Sequence, residues 1–361
     1  MIQSAYLHVP FCKQICAYCD FFRCGYNSLL ANKWLEVITK EIVDLQLTNL
    51  KTLYIGGGTP TALSYHQLEC LLKLLQPCVD QDCEYTMEAN LSHLNDDLLK
   101  LITSYGVNRL SLGVQSFQNH LLERIGRTHR KEDVLPTLER IHQHGIDNIS
   151  IDLIYGLPNQ TLEMWQADLA YAITLPITHI SLYALTIEPN SRFAKEGVEA
   201  AEENLDADMY EYACSFLQAH GFEQYEISSF AKKECYSKHN LAYWNYDDFY
   251  GIGCGASGKS NNARYDNTKN FIEYLEHGAS PTLIKLSQEE AKFEMIMMSL
   301  RKKEGLNLSL YHERFGSDVY TDFKVVINQN IQKKNLIIDE NYLYASDKGF
   351  EILNDILIDF L

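Results

Sequence analysis

Tyr6-Leu7-His8-Val9-Pro10-Phe11-Cys12-Lys13-Gln14-Ile15-Cys16-Ala17-Tyr18-Cys19 decides how the rest of the chain is read. Tyr6–Val9 is a short apolar run that predicts a strand. Three cysteines follow it with the spacing C-x3-C-x2-C. Thiolates placed this way in a loop beyond a strand wrap one face of an iron–sulfur cubane. The cubane has four irons, so one iron is left without a protein ligand. A zinc site is the competing reading, but structural zinc takes four ligands and favours C-x2-C pairs. The remaining seven cysteines, Cys24, Cys70, Cys78, Cys83, Cys214, Cys235 and Cys254, are scattered and read as small buried hydrophobes.

Outward from this loop, short apolar runs alternate with amphipathic stretches. Strands are expected at Tyr6–Val9, Thr52–Ile55, Tyr85–Ala89, Arg109–Val114, Ile149–Ile154 and Ile180–Ala184. Helical patterns at Asn32–Leu47, His66–Leu75, Asp133–His144 and Thr161–Leu175 lie between them. That alternation implies a parallel sheet with right-handed crossovers. Six units fit an α/β fold, a (β/α)6 partial TIM barrel, whose chemistry sits at the C-terminal strand ends. Cys12, Gly56–Thr61, Glu88, Asn90, Gln115 and Asp152 all fall at or near such ends.

Ala201–His220 reads as one helix, followed by an aromatic-rich stretch, Tyr236–Tyr250, and a Gly-rich turn, Gly251–Gly258. Ser287 with Glu290 forms a capping box that opens a helix through Arg301. Helices over Leu308–Phe315 and Val319–Lys334, a hairpin from Leu336–Ile338 and Tyr342–Tyr344, and a last helix over Lys348–Phe360 follow. This pattern predicts a C-terminal α+β, winged-helix-like domain. The chain therefore divides into a barrel domain at 1–230, a connecting segment at 231–285 and an end domain at 286–361.

The chain has 361 residues, 46% of them hydrophobic, and a net charge of −17. The acidity argues against nucleic-acid binding, which draws on phosphate-neutralising Lys and Arg. Lys302, Lys303, Lys333 and Lys334 in the end domain are too few to reverse that. No run reaches the roughly eighteen apolar residues of a membrane span, so no integral membrane segment is expected. The first residues lack the pattern of a secretory signal. Cytoplasmic location follows, and with it reduced cysteines.

The C-x3-C-x2-C motif with an aromatic, Tyr18, before its last cysteine resembles the radical S-adenosylmethionine (SAM) superfamily. That resemblance implies a [4Fe–4S] cluster on Cys12, Cys16 and Cys19, with the SAM amine and carboxylate on the open iron. In that superfamily, reductive cleavage of the sulfonium yields a 5′-deoxyadenosyl radical. Gly56-Gly57-Gly58-Thr59-Pro60-Thr61 lets the backbone approach a ligand closely. Glu88 and Asp152 are carboxylates for ribose or amine, and Arg127 suits the carboxylate. The resemblance places Tyr6, Tyr18, Gly57, Gly58, Thr59, Glu88, Gln115, Arg127, Asp152 and Ala184 around SAM.

Tyr6-Leu7-His8-Val9-Pro10-Phe11-Cys12, Gly113-Val114-Gln115-Ser116-Phe117 and Asp152-Leu153-Ile154-Tyr155-Gly156-Leu157-Pro158 resemble the oxygen-independent coproporphyrinogen III oxidase group. That group contains a dehydrogenase, which oxidatively decarboxylates two propionates of coproporphyrinogen III, and a heme-chaperone (HemW) type. The dehydrogenase has a further cysteine where Phe21 stands, and a long extension before the motif where only eleven residues precede Cys12 here. His239-Asn240-Leu241-Ala242-Tyr243-Trp244 matches the H-N-x-x-Y-W motif associated with heme in the HemW type. A neutral imidazole can ligate heme iron and flat aromatics suit a porphyrin. His239, Tyr243 and Trp244 are thus the heme candidates, with a cysteine or another histidine as competing axial ligand and an aromatic bridge as the structural alternative. Ser257 departs from the histidine common in the family. The expected function is a heme chaperone with a SAM-bound cluster; the rival is the dehydrogenase. Expected partners are heme, a heme-acceptor protein such as a respiratory-chain component, and an electron donor such as flavodoxin or ferredoxin.

Overall fold

The structure, a computed structural model, describes residues 2–361. All six expected strands are present, as β1 (Ser4–Val9), β2 (Leu50–Gly57), β3 (Val79–Ala89), β4 (Arg109–Gln115), β5 (Asn148–Tyr155) and β6 (His179–Ala184). They lie side by side in chain order, each pair parallel. Period-two alternation sorts their side chains. Leu53, Ile55, Met87, Leu110, Leu112, Ile151, Leu153, Ile180 and Leu182 enter the main core. Tyr54, Glu88, Ser111, Asp152 and Tyr183 face a cavity on the other side. Helices such as Ser28–Leu45, Tyr65–Leu75, Lys131–Gln143 and Leu162–Ala172 cover the apolar face, burying Trp34, Leu68, Leu138 and Trp165. This is the (β/α)6 partial barrel.

The stretch 231–285 carries more order than a connector. It contributes the helix Lys238–Trp244 and then β7 (Phe249–Ile252), which pairs in parallel with β1. Strands Ser257–Ser260, Ala263–Asp266 and Thr282–Lys285 continue antiparallel from β7. At the opposite edge Ser229–Ala231 and Glu223–Gln224 add to β6, completing a twelve-stranded sheet. The sequence hides β7 because its partner lies more than two hundred residues away and its four residues carry no alternating pattern.

Beyond Ser287 a second core forms around Ile296, Leu300, Tyr311, Leu343 and Phe350. The Ser287–Glu290 capping box is present and opens the helix Gln288–Ser299. The hairpin Leu336–Ile338/Tyr342–Ala345 is present too, with Leu306–Asn307 as a third strand. Two expected helices are broken. Val319–Lys334 divides into Val319–Asp322 and Lys324–Gln332 at Phe323, whose backbone leaves the helical region. The Phe323 ring packs on Phe360 at 5.5 Å, so tertiary contact overrides local propensity. Lys348–Phe360 likewise divides at Ile352, which turns Leu353, Ile356 and Leu357 inward.

Candidate cofactor site

The C-terminal strand ends open into a cavity of about 340 Å³. Cys12, Cys16 and Cys19 line one wall. Their loop is held from both sides. Tyr26 N–H donates to Cys12 O at 2.8 Å and Cys24 N–H to Pro10 O at 2.7 Å. Ala17 N–H donates to Ile125 O at 2.9 Å, and Ala17 O accepts from Phe193 N–H at 3.0 Å. The Arg23 guanidinium donates to Cys19 O and, at 2.9 Å, to Phe21 O. Cys12 is buried, and burial first, then the Cys19 and Cys16 sulfurs, pushes its thiol up to about 11. A bound cation would reverse that shift and take the thiolate. Among the described residues, no three His, Cys, Asp or Glu side chains converge on a point fit for a single metal ion. A cubane spreads its three thiolates over three irons and does not require such a point.

The glycine turn closes the next wall. Gly58 N–H donates to Val9 O and Thr59 N–H to Phe11 O, both at 2.8 Å. A Cβ on Gly58 would stand 2.7 Å from Phe11 O, so the turn lies against backbone that cannot move aside. Gly57 N–H donates to Glu88 Oε2 at 3.1 Å, and Tyr54 Oη donates to Glu88 Oε1 at 2.9 Å. Burial, then the neighbouring Asp152 charge, raises Glu88 to about 7. Asp152 accepts from Ser111 Oγ at 3.3 Å, and burial raises it to about 6.

The third wall comes from β4. Its register shifts between Gly113 and Gln115, and Gln115 sits at φ +73°, a left-handed conformation rare for glutamine. The bulge re-aims the Gln115 side chain. Its buried Oε1 has no partner, nor does Nε of Arg127 beside it. Arg127 is otherwise fixed, donating to Asn90 Oδ1 at 2.5 Å and to Tyr18 Oη at 3.4 Å. A Cβ on Gly113 would run into the Arg127 guanidinium. A buried acceptor and a buried donor left open in one chamber call for a ligand that carries both. An amino-acid headgroup with a nucleoside meets that demand, and SAM is such a molecule. The residues therefore fit a cluster on Cys12, Cys16 and Cys19 with SAM against Gly57, Gly58, Thr59, Glu88, Gln115, Arg127 and Asp152. When bound, the pair supplies one-electron chemistry at a sulfonium. Arg127 and the Glu88 and Asp152 carboxylates would there meet the charged and polar ends of the cofactor.

Of the residues expected around SAM, Tyr18, Gly57, Gly58, Thr59, Glu88, Gln115, Arg127, Asp152 and Ala184 line the cavity. Tyr6 does not; its hydroxyl bonds His8 Nδ1 at 3.0 Å and its ring lies beside Tyr54. Tyr54, Ser111, Gly113 and Tyr183 line the cavity without having been expected. The strand alternation of inward residues was the available signal. His239, Tyr243 and Trp244 lie elsewhere. His239 is 1% exposed, and its Nδ1 and Nε2 are hydrogen-bonded to Thr52 Oγ1 at 2.9 Å and Tyr243 Oη at 2.8 Å. Burial lowers its pKa to about 3, so the ring is neutral.

The radical SAM superfamily matches residues 6–172, and the HemN C-terminal domain matches residues 286–352. The heme chaperone HemW of Lactococcus lactis subsp. lactis (strain IL1403) is 37% identical, covering 99% of this chain and 97% of its own. The heme chaperone HemW of Bacillus subtilis (strain 168) is 36% identical, covering 100% of this chain and 99% of its own. Among solved structures, coproporphyrinogen III oxidase (HemN) from Escherichia coli, described as a radical SAM enzyme, superposes with a TM-score of 0.87. It covers 99% of this chain and 89% of its own at 23% identity, a likeness of fold. End-to-end similarity at this level, on a barrel whose mouth gathers three cysteines against a glycine turn, places the chain in the HemW family of the radical SAM superfamily.

Proposed function

We propose that this chain is a heme chaperone that binds heme and passes it to an acceptor protein, and that it carries a SAM-bound [4Fe–4S] cluster. One observation carries the reading: relatives named heme chaperone match the chain from end to end. Cys12, Cys16 and Cys19 ligate iron. Tyr18, Gly57, Gly58, Thr59, Glu88, Gln115, Arg127, Asp152 and Ala184 hold SAM, and Tyr6 supports them from behind Tyr54. Phe21, on the cavity rim, leaves that position without the extra thiol of the dehydrogenase. The acceptor is a heme-requiring protein such as a respiratory-chain component. A flavodoxin or ferredoxin supplies electrons. Among the described residues no helix is long and apolar enough to cross a membrane. Ten cysteines with no disulfide among the described residues suit the reducing cytoplasm.

The test is anaerobic. Reconstituted protein is loaded with heme and mixed with a heme-free cytochrome acceptor while the Soret band is followed. Transfer faster than from free heme is expected. A parallel reaction supplies coproporphyrinogen III, SAM and reductant. Protoporphyrinogen as product would establish the rival reading, a coproporphyrinogen III dehydrogenase, in place of the chaperone.

A further inference from the structure

The H-N-x-x-Y-W helix lies beneath the barrel, at the end opposite the cysteines. Glu84 of β3 receives its N-terminus: Lys238 N–H and His239 N–H each donate to the Glu84 carboxylate at 3.0 Å. Ser237 Oγ caps Asn240 N–H, and Ser237 N–H donates to Tyr225 Oη at 3.2 Å. The helix N-terminus is thereby fixed to Glu84 and Tyr225.

His239 then enters the barrel from below. Its Nδ1 meets Thr52 of β2 and its Nε2 meets Tyr243 one turn along its own helix. Its ring stacks on Tyr54 with centroids 5.2 Å apart and planes 28° apart. The hydroxyl of that same Tyr54 donates to Glu88 Oε1 at 2.9 Å. The other oxygen of Glu88 accepts from Gly57 in the glycine turn. One continuous path thus joins the motif to the cavity: Thr52 and Tyr243, His239, Tyr54, Glu88, Gly57. Both ring nitrogens are engaged and the side chain is buried, so no lone pair is available to iron without dismantling the floor.

We infer that His239 is a positioning residue: the H-N-x-x-Y-W helix plugs the barrel floor and, through Tyr54, holds Glu88 aimed at the cofactor, instead of supplying the heme ligand. The inference rests on the reading of Glu88 as a SAM contact. It assigns the motif a role on the cofactor side of the protein. Orientation of a carboxylate through a second residue commonly matters as much as the contact itself.

The experiment uses the full reconstituted chain and three readouts: iron content with the visible band of the cluster, SAM affinity by equilibrium dialysis, and heme titration by the Soret band. The variants are His239→Ala, Tyr54→Phe and their double. Tyr54→Phe keeps the ring that packs the floor and removes only the hydroxyl, so it reports on Glu88 even if His239→Ala unfolds. Each single variant is expected to bind SAM about tenfold more weakly, the scale of one hydrogen bond to a charged group. The double should lose little more than either single, because both act through one path. Cluster content and heme affinity should stay at the wild-type level. SAM affinity unchanged in Tyr54→Phe would overturn the inference. So would a loss of the Soret signal in His239→Ala with SAM affinity intact, since that outcome makes His239 a heme ligand. Failure of the wild type to bind heme would count against the proposed function alone, because the SAM arm reads independently.

Discussion

Glu88 accepts the backbone N–H of Gly57 at 3.1 Å, tying the end of β3 to the glycine turn at the end of β2. The same carboxyl stands near the Asp152 charge in a buried chamber, and burial first, then Asp152, lifts it from 4.5 to about 7. The sign follows from that direction. Between pH 4.5 and about 7 the folded chain holds the Glu88 proton and the unfolded chain has released it, so stability of the cofactor-free protein falls as pH rises through this window. SAM binding runs the other way, because the ionised carboxylate is the better acceptor for ribose or amine. Affinity should therefore rise as pH climbs from 6 to 8. Glu88→Gln should remove the Glu88 share of both profiles, leaving that of Asp152, and bind SAM about tenfold more weakly at pH 8, by loss of one charge-assisted hydrogen bond. Dialysis and thermal melts across pH check both. A wild-type SAM profile that falls over this range would refute the role.

Each of Cys12→Ser, Cys16→Ser and Cys19→Ser should abolish the cluster after anaerobic reconstitution, because two thiolates leave the cubane without its third protein ligand. The fold should survive. Cys12 is surrounded by backbone bonds that do not involve its sulfur, and Cys16 and Cys19 are only half-buried. Circular dichroism near wild type, with loss of the visible cluster band and of bound iron, is the expected pair of results.

Much of this was legible beforehand, and for a physical reason. Strands that bury one face and line a cavity with the other alternate core residues with cavity residues, and β1 to β6 carry that pattern. The Ser287–Glu290 box is likewise a purely local signal. What escaped depends on distance. β7 gains its identity from β1, and Phe323 breaks a helix because Phe360 lies across from it. Of the residues expected around SAM all but Tyr6 line the cavity, and Tyr54 and Gly113 join them through the strand alternation alone, with no motif to mark them. His239 could be recognised as part of a motif, but its two engaged nitrogens are visible only once Thr52 and Tyr243 are brought to it.

Gly58→Ala should damage both fold and site. The added methyl would meet Phe11 O at 2.7 Å and cannot be relieved by a side-chain rotation, because the obstruction is backbone. The cost should be about 1–3 kcal/mol, the range for overpacking a closed site. Phe11 immediately precedes Cys12, so the displacement also reaches the cysteine loop. A lower melting temperature together with reduced cluster occupancy is expected. Gly145→Ala is the control: nothing lies within 4 Å of its added Cβ, and it stands far along the chain from the cysteine loop. Its left-handed backbone should cost some stability, with no loss of cluster.

The junction between the two cores turns on Lys259. Its ammonium is 2.7 Å from Asp248, donates to Tyr246 O at 3.0 Å and lies 4.0 Å from the centroid of the Tyr246 ring. Tyr246 itself sits in the second core and donates to Glu294 Oε2 at 2.9 Å. Lys259, on the strand Ser257–Ser260, therefore anchors Tyr246, which in turn reaches the end domain through Glu294. Removing one partner of a fully buried pair typically costs about 3–5 kcal/mol. The Asp248 side chain is 25% exposed, so water recovers part of the loss. Lys259→Ala should accordingly destabilise by about 2 kcal/mol, below that fully buried range. Lys259→Met, which keeps the length and the contact with Tyr246 but leaves Asp248 without its partner, should recover part of the packing share only. Since neither Lys259 nor Tyr246 reaches the cavity, both variants should assemble the cluster and bind SAM as wild type does. Denaturant melts of the two variants separate packing from charge, and equal losses in both would assign the whole effect to the ion pair.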